Sequence, residues 1–231
     1  MMLDIRDLVV AYHKKDVLHG VSLAVDHKEI VALVGHNGAG KTTLMRAAVG
    51  LVPWSRGSID FDGAPVLPGR VAATVRRGVA FVPQGRNTFR SLKVGDNLDI
   101  ALKSADPRAP TRVDDVFAMF PILRERMEQP AGRLSGGQQQ MVALASALVR
   151  GPRLVMLDEP STGLAPKLVE DVFRRVLEMR ERFGISVLIV DQNVRRLLDI
   201  VDRVAVLKAG SIVFDGPPAK IATDEDLWRL F

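Results

Sequence analysis

Ile30-Val31-Ala32-Leu33-Val34-Gly35-His36-Asn37-Gly38-Ala39-Gly40-Lys41-Thr42 is the stretch on which the reading of this chain turns. Five successive apolar residues with no polar alternation predict a strand buried on both faces, as found inside a parallel sheet. The loop after it fits Gly-x4-Gly-Lys-Thr, and Thr43-Leu44-Met45-Arg46-Ala47-Ala48 continues as a helix up to Gly50. A chance glycine turn could match the loop alone; strand, loop and helix in this order are the context that marks a phosphate cradle. Glycines let the backbone wrap an anion, so that successive N–H groups and the helix N-terminus point at it. Lys41 adds a charge at the β- and γ-phosphates of a nucleotide, and the Thr42 hydroxyl suits Mg²⁺.

Two similar apolar runs lie further along, Leu154-Val155-Met156-Leu157 and Ile185 through Val190. Between them Leu168, Val169, Val172, Phe173, Val176 and Leu177 recur at helical spacing, while Arg174, Arg175, Glu178 and Arg180 take the other face. This amphipathic crossover helix between two buried strands predicts a βαβ unit. The first of these strands ends in Asp158-Glu159. Two solvated acids capping a strand are commonplace, but downstream of a phosphate cradle the pair suits different work. Asp158 fits the Mg²⁺ shell and Glu159 the polarisation of an attacking water.

The flanking segments have other patterns. Leu3 to Val25 reads as short strands broken by a basic turn at Lys14-Lys15-Asp16, and Gly57-Ser58-Ile59-Asp60-Phe61-Asp62-Gly63 as a hairpin of a small antiparallel layer. From about Gly85 to Arg150 the pattern is mainly helical, with breaks at Pro107, Pro110, Pro121 and Pro130. Within it, Leu134-Ser135-Gly136-Gly137-Gln138 precedes a helix carrying Met141, Leu144, Ala145 and Leu148 on one face. Ser135 stands where an N-cap belongs, and the glycines leave backbone N–H groups bare, which predicts a second anion site at a helix N-terminus. Alone, Ser-Gly-Gly is an ordinary loop; its position shortly before Asp158 gives it weight.

With these motifs in this order the chain resembles the ABC ATPase family over nearly its whole length. The resemblance implies one ATPase domain over residues 1–231: an α/β, P-loop NTPase core with an antiparallel β layer, and a helical subdomain inserted at roughly residues 85–151. It implies ATP and Mg²⁺ as cofactors. Tyr12 matches the aromatic that stacks on adenine, although a strand-end tyrosine needs no such role. Gly35, His36, Asn37, Gly38, Ala39, Gly40, Lys41, Thr42 and Thr43 match the phosphate loop. Gln84, in Phe81-Val82-Pro83-Gln84, matches the glutamine that joins core to helical part and senses Mg²⁺ and water, so Thr42, Gln84 and Asp158 form the implied metal set. Ser135, Gly136, Gly137 and Gln138 match the family's signature, through which a second subunit closes over the γ-phosphate. Ser161-Thr162-Gly163-Leu164-Ala165-Pro166 matches the loop by which each subunit touches the other's site.

Pro83-Gln84-Gly85-Arg86, Asp158-Glu159-Pro160-Ser161 and Val190-Asp191-Gln192-Asn193 are similar to the ATP-binding subunits of branched-chain amino acid importers, a branch whose relatives serve amides and urea. Two departures stand out. Gln192 occupies the place of the family's switch histidine; it can hydrogen-bond a γ-phosphate but carries no proton or charge at neutral pH. Asn87-Thr88-Phe89-Arg90 replaces a more basic and apolar run where a permease's coupling helix is expected to dock. The implied partners are a second ATPase subunit, identical or not, integral membrane permeases and, indirectly, an extracytoplasmic solute-binding protein. A soluble ABC ATPase of translation or DNA repair is the competing class. A single P-loop and the lack of sustained heptads argue against it, and the Ser-Gly-Gly signature argues against a P-loop kinase or GTPase.

Composition narrows the rest. Hydrophobic residues make up 47% of the 231, enough for a substantial core, yet mean hydropathy is only +0.11 and no run approaches a membrane span. Acids at Asp4 and Asp7 argue against a leader peptide. With no cysteine there is no disulfide, thiol catalysis or thiolate metal site, and His13, His19, His27 and His36 lack metal spacing. The formal charge of +5 comes from scattered pairs such as Arg76-Arg77, and with one tyrosine the chain lacks stacking platforms, so nucleic acid is not an expected partner. The expected location is cytoplasmic, peripheral on the inner face of the plasma membrane.

Overall fold

The computed structural model describes residues 1–13, 15–85, 87–105 and 113–221. Of the residues singled out above, Lys14, Arg86, Pro107 and Pro110 lie outside that set. The chain opens with an antiparallel pair, β1 (Leu3–Tyr12) and β2 (Lys15–Val25). These strands are long, ten and eleven residues, rather than short. Lys15 and Asp16 belong to β2 instead of a turn. The misreading has a physical source: register shifts between Ile5 and Leu8, Leu8 and Val9, and Val10 and Ala11 break the two-residue alternation that marks a strand. β4 (Arg56–Phe61) and β5 (Ala64–Pro65) complete a four-stranded sheet in the order β2-β1-β4-β5, with the expected hairpin at its edge.

The apolar runs build the second sheet. β3 (Ile30–Val34), β6 (Val79–Val82), β7 (Leu154–Asp158), β8 (Ser186–Val190), β9 (Arg203–Lys208) and β10 (Ser211–Gly216) lie in the order β10-β9-β3-β8-β7-β6. All neighbours are parallel except β9 and β10. β3, β7 and β8 are buried at every position. Their successive residues feed different interiors. Ile30, Ala32 and Val34 join a core with α6 (Gly136–Leu148) and α7 (Pro166–Phe183), whereas Val31 and Leu33 join one with β1 and α1 (Lys41–Ala48). The result is three layers with the parallel sheet in the middle.

Among the described residues between β6 and β7 stand α3 (Val94–Lys103), α4 (Val113–Met119), α5 (Pro121–Glu125) and α6, with a 3₁₀ turn at Ala131–Arg133. The expected break at Pro121 separates α4 from α5; the proline opens α5 at the first helical position, where its missing N–H has no partner to lose. Buried Val94, Leu98, Val116 and Phe120 continue the core beneath α6, so these helices share their interior with the sheet. α2 (Val71–Arg76) covers the start of β6, and α8 (Val194–Leu198) follows β8.

Two arginines tie the layers together. Arg77 donates to the Pro65 carbonyl at 2.9 Å and the Ala64 carbonyl at 2.7 Å, and also to that of Phe61. It is thus a staple under the hairpin. Arg203 on β9 donates to Glu29 at 2.8 Å, to Asp215 at 2.6 Å and to the Ala24 carbonyl on β2.

Candidate functional site

In a parallel sheet every strand points the same way, so the loops that follow β3, β6, β7 and β8 meet at one edge. A cleft of about 500 Å³ opens there, bringing together Lys41, Thr42, Gln84, Glu159 and Gln192, with Tyr12 and Val17 of the antiparallel sheet at one side. Asn37, Gly38, Gly40 and Thr43 also line it. Gly35 supports the loop from behind. Its φ is +152°, and a Cβ there would lie 2.1 Å from the Leu207 carbonyl oxygen, so the loop sits against β9 only because this residue has no side chain. Ala39 is buried beneath the loop and His36 is exposed on it.

Lys41, the first residue of α1, is buried and donates to the Gly35 carbonyl at 2.6 Å and that of His36 at 3.0 Å. The same bonds hold the ammonium over the mouth of the loop. Burial pulls its pKa below the usual lysine value, with Glu159 and Asp158 pulling the other way. Thr42 Oγ1 donates to Asp158 Oδ1 at 3.3 Å, while Asp158 Oδ2 is buried with no hydrogen-bond partner. Burial raises the Asp158 pKa, only partly offset by the Thr42 bond. An orphaned carboxylate oxygen beside a hydroxyl is a fitting donor pair for Mg²⁺, which takes one or two protein oxygens and fills its shell with phosphate and water. Among the described residues no cluster of three His, Asp or Glu side chains offers an alternative metal cage.

Glu159 follows at φ +50°, a left-handed conformation that costs a non-glycine residue about 1 kcal/mol. The Glu159 N–H donates to the Val190 carbonyl at 2.8 Å, holding the turn at the sheet edge. Three donors converge on its Oε2: Gln84 Nε2 at 2.6 Å, Gln192 Nε2 at 2.8 Å and Thr162 Oγ1 at 3.0 Å. The carboxylate is therefore fixed through one oxygen, leaving Oε1 for other work. Gln192, whose amide could reach a phosphate, is here engaged with Glu159.

Asp191 is a residue to which the motifs gave no role. Only 3% exposed, it accepts from Ser161 N (3.0 Å), Ser161 Oγ (2.6 Å), Asn193 N (2.9 Å) and Asn193 Nδ2 (3.1 Å). It thereby clamps the loop carrying Thr162 to the loop carrying Gln192. The signal was in the sequence: an acid directly after the apolar run Val187–Val190 begins buried, and a buried carboxylate must collect donors.

The Ser-Gly-Gly motif is built as its residues predict but stands apart from the cleft. Ser135 caps α6, its Oγ accepting from Gln138 N at 3.3 Å while Gln138 Oε1 accepts from Ser135 N at 3.1 Å. Ser135 and Gly136 are exposed. Gly137 is buried instead, and a Cβ on it would lie 2.6 Å from Leu168 Cδ1. Packing against α7 is thus what its missing side chain permits. None of Ser135, Gly136, Gly137 or Gln138 lines the cleft.

Comparison with known proteins places this arrangement. A family model described as ABC transporter matches residues 18–162. A high-affinity branched-chain amino acid transport ATP-binding protein of Pseudomonas aeruginosa is 39% identical over 96% of each chain. A probable branched-chain amino acid transport ATP-binding protein of Archaeoglobus fulgidus is 36% identical over 96% of this chain and 95% of its own. The lipopolysaccharide export system ATP-binding protein of Escherichia coli K12 is 38% identical over 98% of this chain and 95% of its own. Among solved structures, an ATP-binding cassette of an ABC transporter in its ADP conformation superposes with a TM-score of 0.85 at 26% identity, covering 99% of this chain and 97% of that one.

Proposed function

Because the chain belongs to the ABC transporter family and is an ATPase coupled to transport, we propose that it powers an importer of branched-chain or other amino acids. The observation that carries the catalytic reading is the convergence of Gln84, Thr162 and Gln192 on one oxygen of Glu159, beside Lys41 and Thr42. On this reading ATP stacks its base at Tyr12 and lays its phosphates along the loop from Gly35 to Thr43, with Lys41 at the β- and γ-phosphates. Thr42, Asp158 and Gln84 would hold Mg²⁺, which would supply positive charge to the β- and γ-phosphates. Glu159 Oε1 accepts a hydrogen bond from the attacking water and orients it, while Gln84, Thr162 and Gln192 keep the carboxylate from swinging away. Positioning and charge stabilisation do this work without a covalent intermediate.

The exposed Ser135-Gly136 cap lies outside its own chain's cleft, so it serves the cleft of a second ATPase subunit, and the site is complete only in a pair. Integral membrane permeases then couple the pair to the solute, with an extracytoplasmic binding protein beyond them, and hold it at the inner face of the membrane. The solute class rests on the two amino acid transport relatives; the similarly close lipopolysaccharide export relative supports a second reading, in which the partner is an exporter.

Glu159→Gln is the deciding variant. It keeps the shape of the side chain but removes the charge, so ATP binding should persist while steady-state hydrolysis falls by about 10²–10⁴-fold, the range of a lost general base. ATP-dependent dimers should accumulate on a sizing column. Turnover within a few-fold of the parent would remove Glu159 from this role. Uptake of labelled leucine by cells with and without the gene separates the two solute readings, since an exporter subunit leaves uptake unchanged.

A further inference from the structure

A second groove, of about 390 Å³, opens at the other end of the parallel sheet. Its lining residues precede the strands: Lys28 before β3, Gly78 before β6, Arg153 before β7 and Gly184 before β8, whereas the residues of the nucleotide cleft follow them. A five-residue strand separates the two ends by roughly 16 Å. Among the described residues the groove gathers six basic side chains, Lys28 and Arg153 of those positions together with His27, Arg76, Arg77 and Arg150, and no carboxylate lines it.

Some of this charge is already committed. Arg77 spends its guanidinium on the carbonyls of Ala64 and Pro65, and Arg153 pairs with Asp62 outside the lining. Lys28 and Arg76 have no ion pair among the described residues. Arg150 is the unusual member. It follows α6, and its Nε is fully buried without any hydrogen-bond partner. Burial pulls its pKa down and no neighbouring carboxylate pulls it back. A half-buried guanidinium whose Nε is sealed from water with no partner and no counter-charge is costly, and a native structure that keeps one has a use for it. The volume lies within the range of small-molecule sites. Several uncommitted cations facing one space demand a ligand of more than one negative charge, and a guanidinium fork matches phosphate oxygens in particular.

We propose that this groove is a binding site for a small polyanion carrying phosphate groups, anchored by Arg150 and flanked by Lys28 and Arg76. The site is independent of the nucleotide cleft. Such a phosphate group could arrive on a free metabolite or on an anionic lipid headgroup; the chemistry recognised is the same.

The test uses the full chain carrying Lys41→Ala, which disables the nucleotide loop, titrated calorimetrically with tripolyphosphate at low salt. One saturable site is expected, weakened tenfold or more by adding Arg150→Gln. Arg124→Gln, which removes an exposed cation on α5, should leave it unchanged. If Arg150→Gln does not fold, Lys28→Gln with Arg76→Gln should produce a similar loss. In parallel, the same variants are sedimented with phosphatidylglycerol vesicles and with phosphatidylcholine vesicles. Arg150-dependent binding to phosphatidylglycerol alone identifies a lipid headgroup, and Arg150-dependent binding to tripolyphosphate without vesicle binding identifies a free ligand. The absence of both, or equal weakening by Arg124→Gln, overturns the proposal.

Discussion

Asp158 and Gln192 show how a single side chain's surroundings set its behaviour. Asp158 is charged, buried and half satisfied, which favours its protonated form and raises its pKa. The sign follows from proton linkage: between the ordinary carboxylate value and the raised native one, the folded state holds more protons, so stability falls as pH rises through that window. Asp158→Asn removes the buried charge and is expected to stabilise the nucleotide-free protein by about 1–2 kcal/mol at neutral pH, with hydrolysis lost. The gain should shrink as pH drops into the window; thermal melts across pH 4 to 8 (roughly, from the ordinary carboxylate range) measure it, and an Asn variant less stable than its parent at neutral pH refutes the account. Gln192 makes the opposite point. As a neutral amide it holds Glu159 independently of pH, at 2.8 Å. Gln192→His should keep ATP binding but add an inflection to the hydrolysis rate at about pH 6–7, the imidazole range. A rate profile parallel to that of the parent would show that position 192 does not act on Glu159.

At the scale of elements, Gly137 marks the seam between α6 and α7. Gly137→Ala gains helix propensity but drives a methyl into the end of the half-buried Leu168 side chain, which must turn aside, for a net loss expected at no more than about 1 kcal/mol. Adding Leu168→Ala should recover part of that loss in urea unfolding; a double variant no better than Gly137→Ala would place the cost elsewhere. The same seam shows what a sequence can and cannot reveal. β3, β7, β8 and α7 are legible because an unbroken apolar run or a helical stripe is a local pattern. β6 and β9 carry apolar runs, Val79–Val82 and Val204–Leu207, as long as the one in β7, so their local pattern is no weaker; β10 is too mixed to stand out, and its pairing with β9 makes it a strand. The site divides likewise. Lys41, Ser135 and Asp158-Glu159 announce themselves because a few adjacent residues carry the chemistry. Thr162 does not, and Asp191 shows only as an acid at the end of a buried strand, because their roles arise from contacts between loops far apart in the chain. Gly137 is legible as a glycine in a motif, while the α7 side chain that requires it is not.

Across the whole molecule, Arg203 joins three segments, with Glu29 ahead of β3, Asp215 on β10 and the Ala24 carbonyl of β2. The two carboxylates hold its pKa well above the ordinary arginine value, against the cost of burial. Arg203→Leu strands both acids and should destabilise the fold by about 2–4 kcal/mol, less than a fully buried pair because the side chain keeps some solvent. Urea denaturation reads this directly; a loss below about 0.5 kcal/mol, the scale of a surface substitution, would reduce the cluster to decoration. The alternation of β3 between two interiors has a consequence for how the molecule comes apart. Each core lacks one wall without the same five residues, so neither can melt and leave the other standing. A fragment without the N-terminal hairpin would expose Val31 and Leu33 to water, and one without α7 would uncover the opposite face. The amide hydrogens of β3, β7 and β8 should therefore exchange only through global opening, with one shared free energy, whereas the exposed cap at Ser135 exchanges locally. Nucleotide bound at the tip of β3 should then slow exchange in both cores equally, as expected of two interiors that open as one unit.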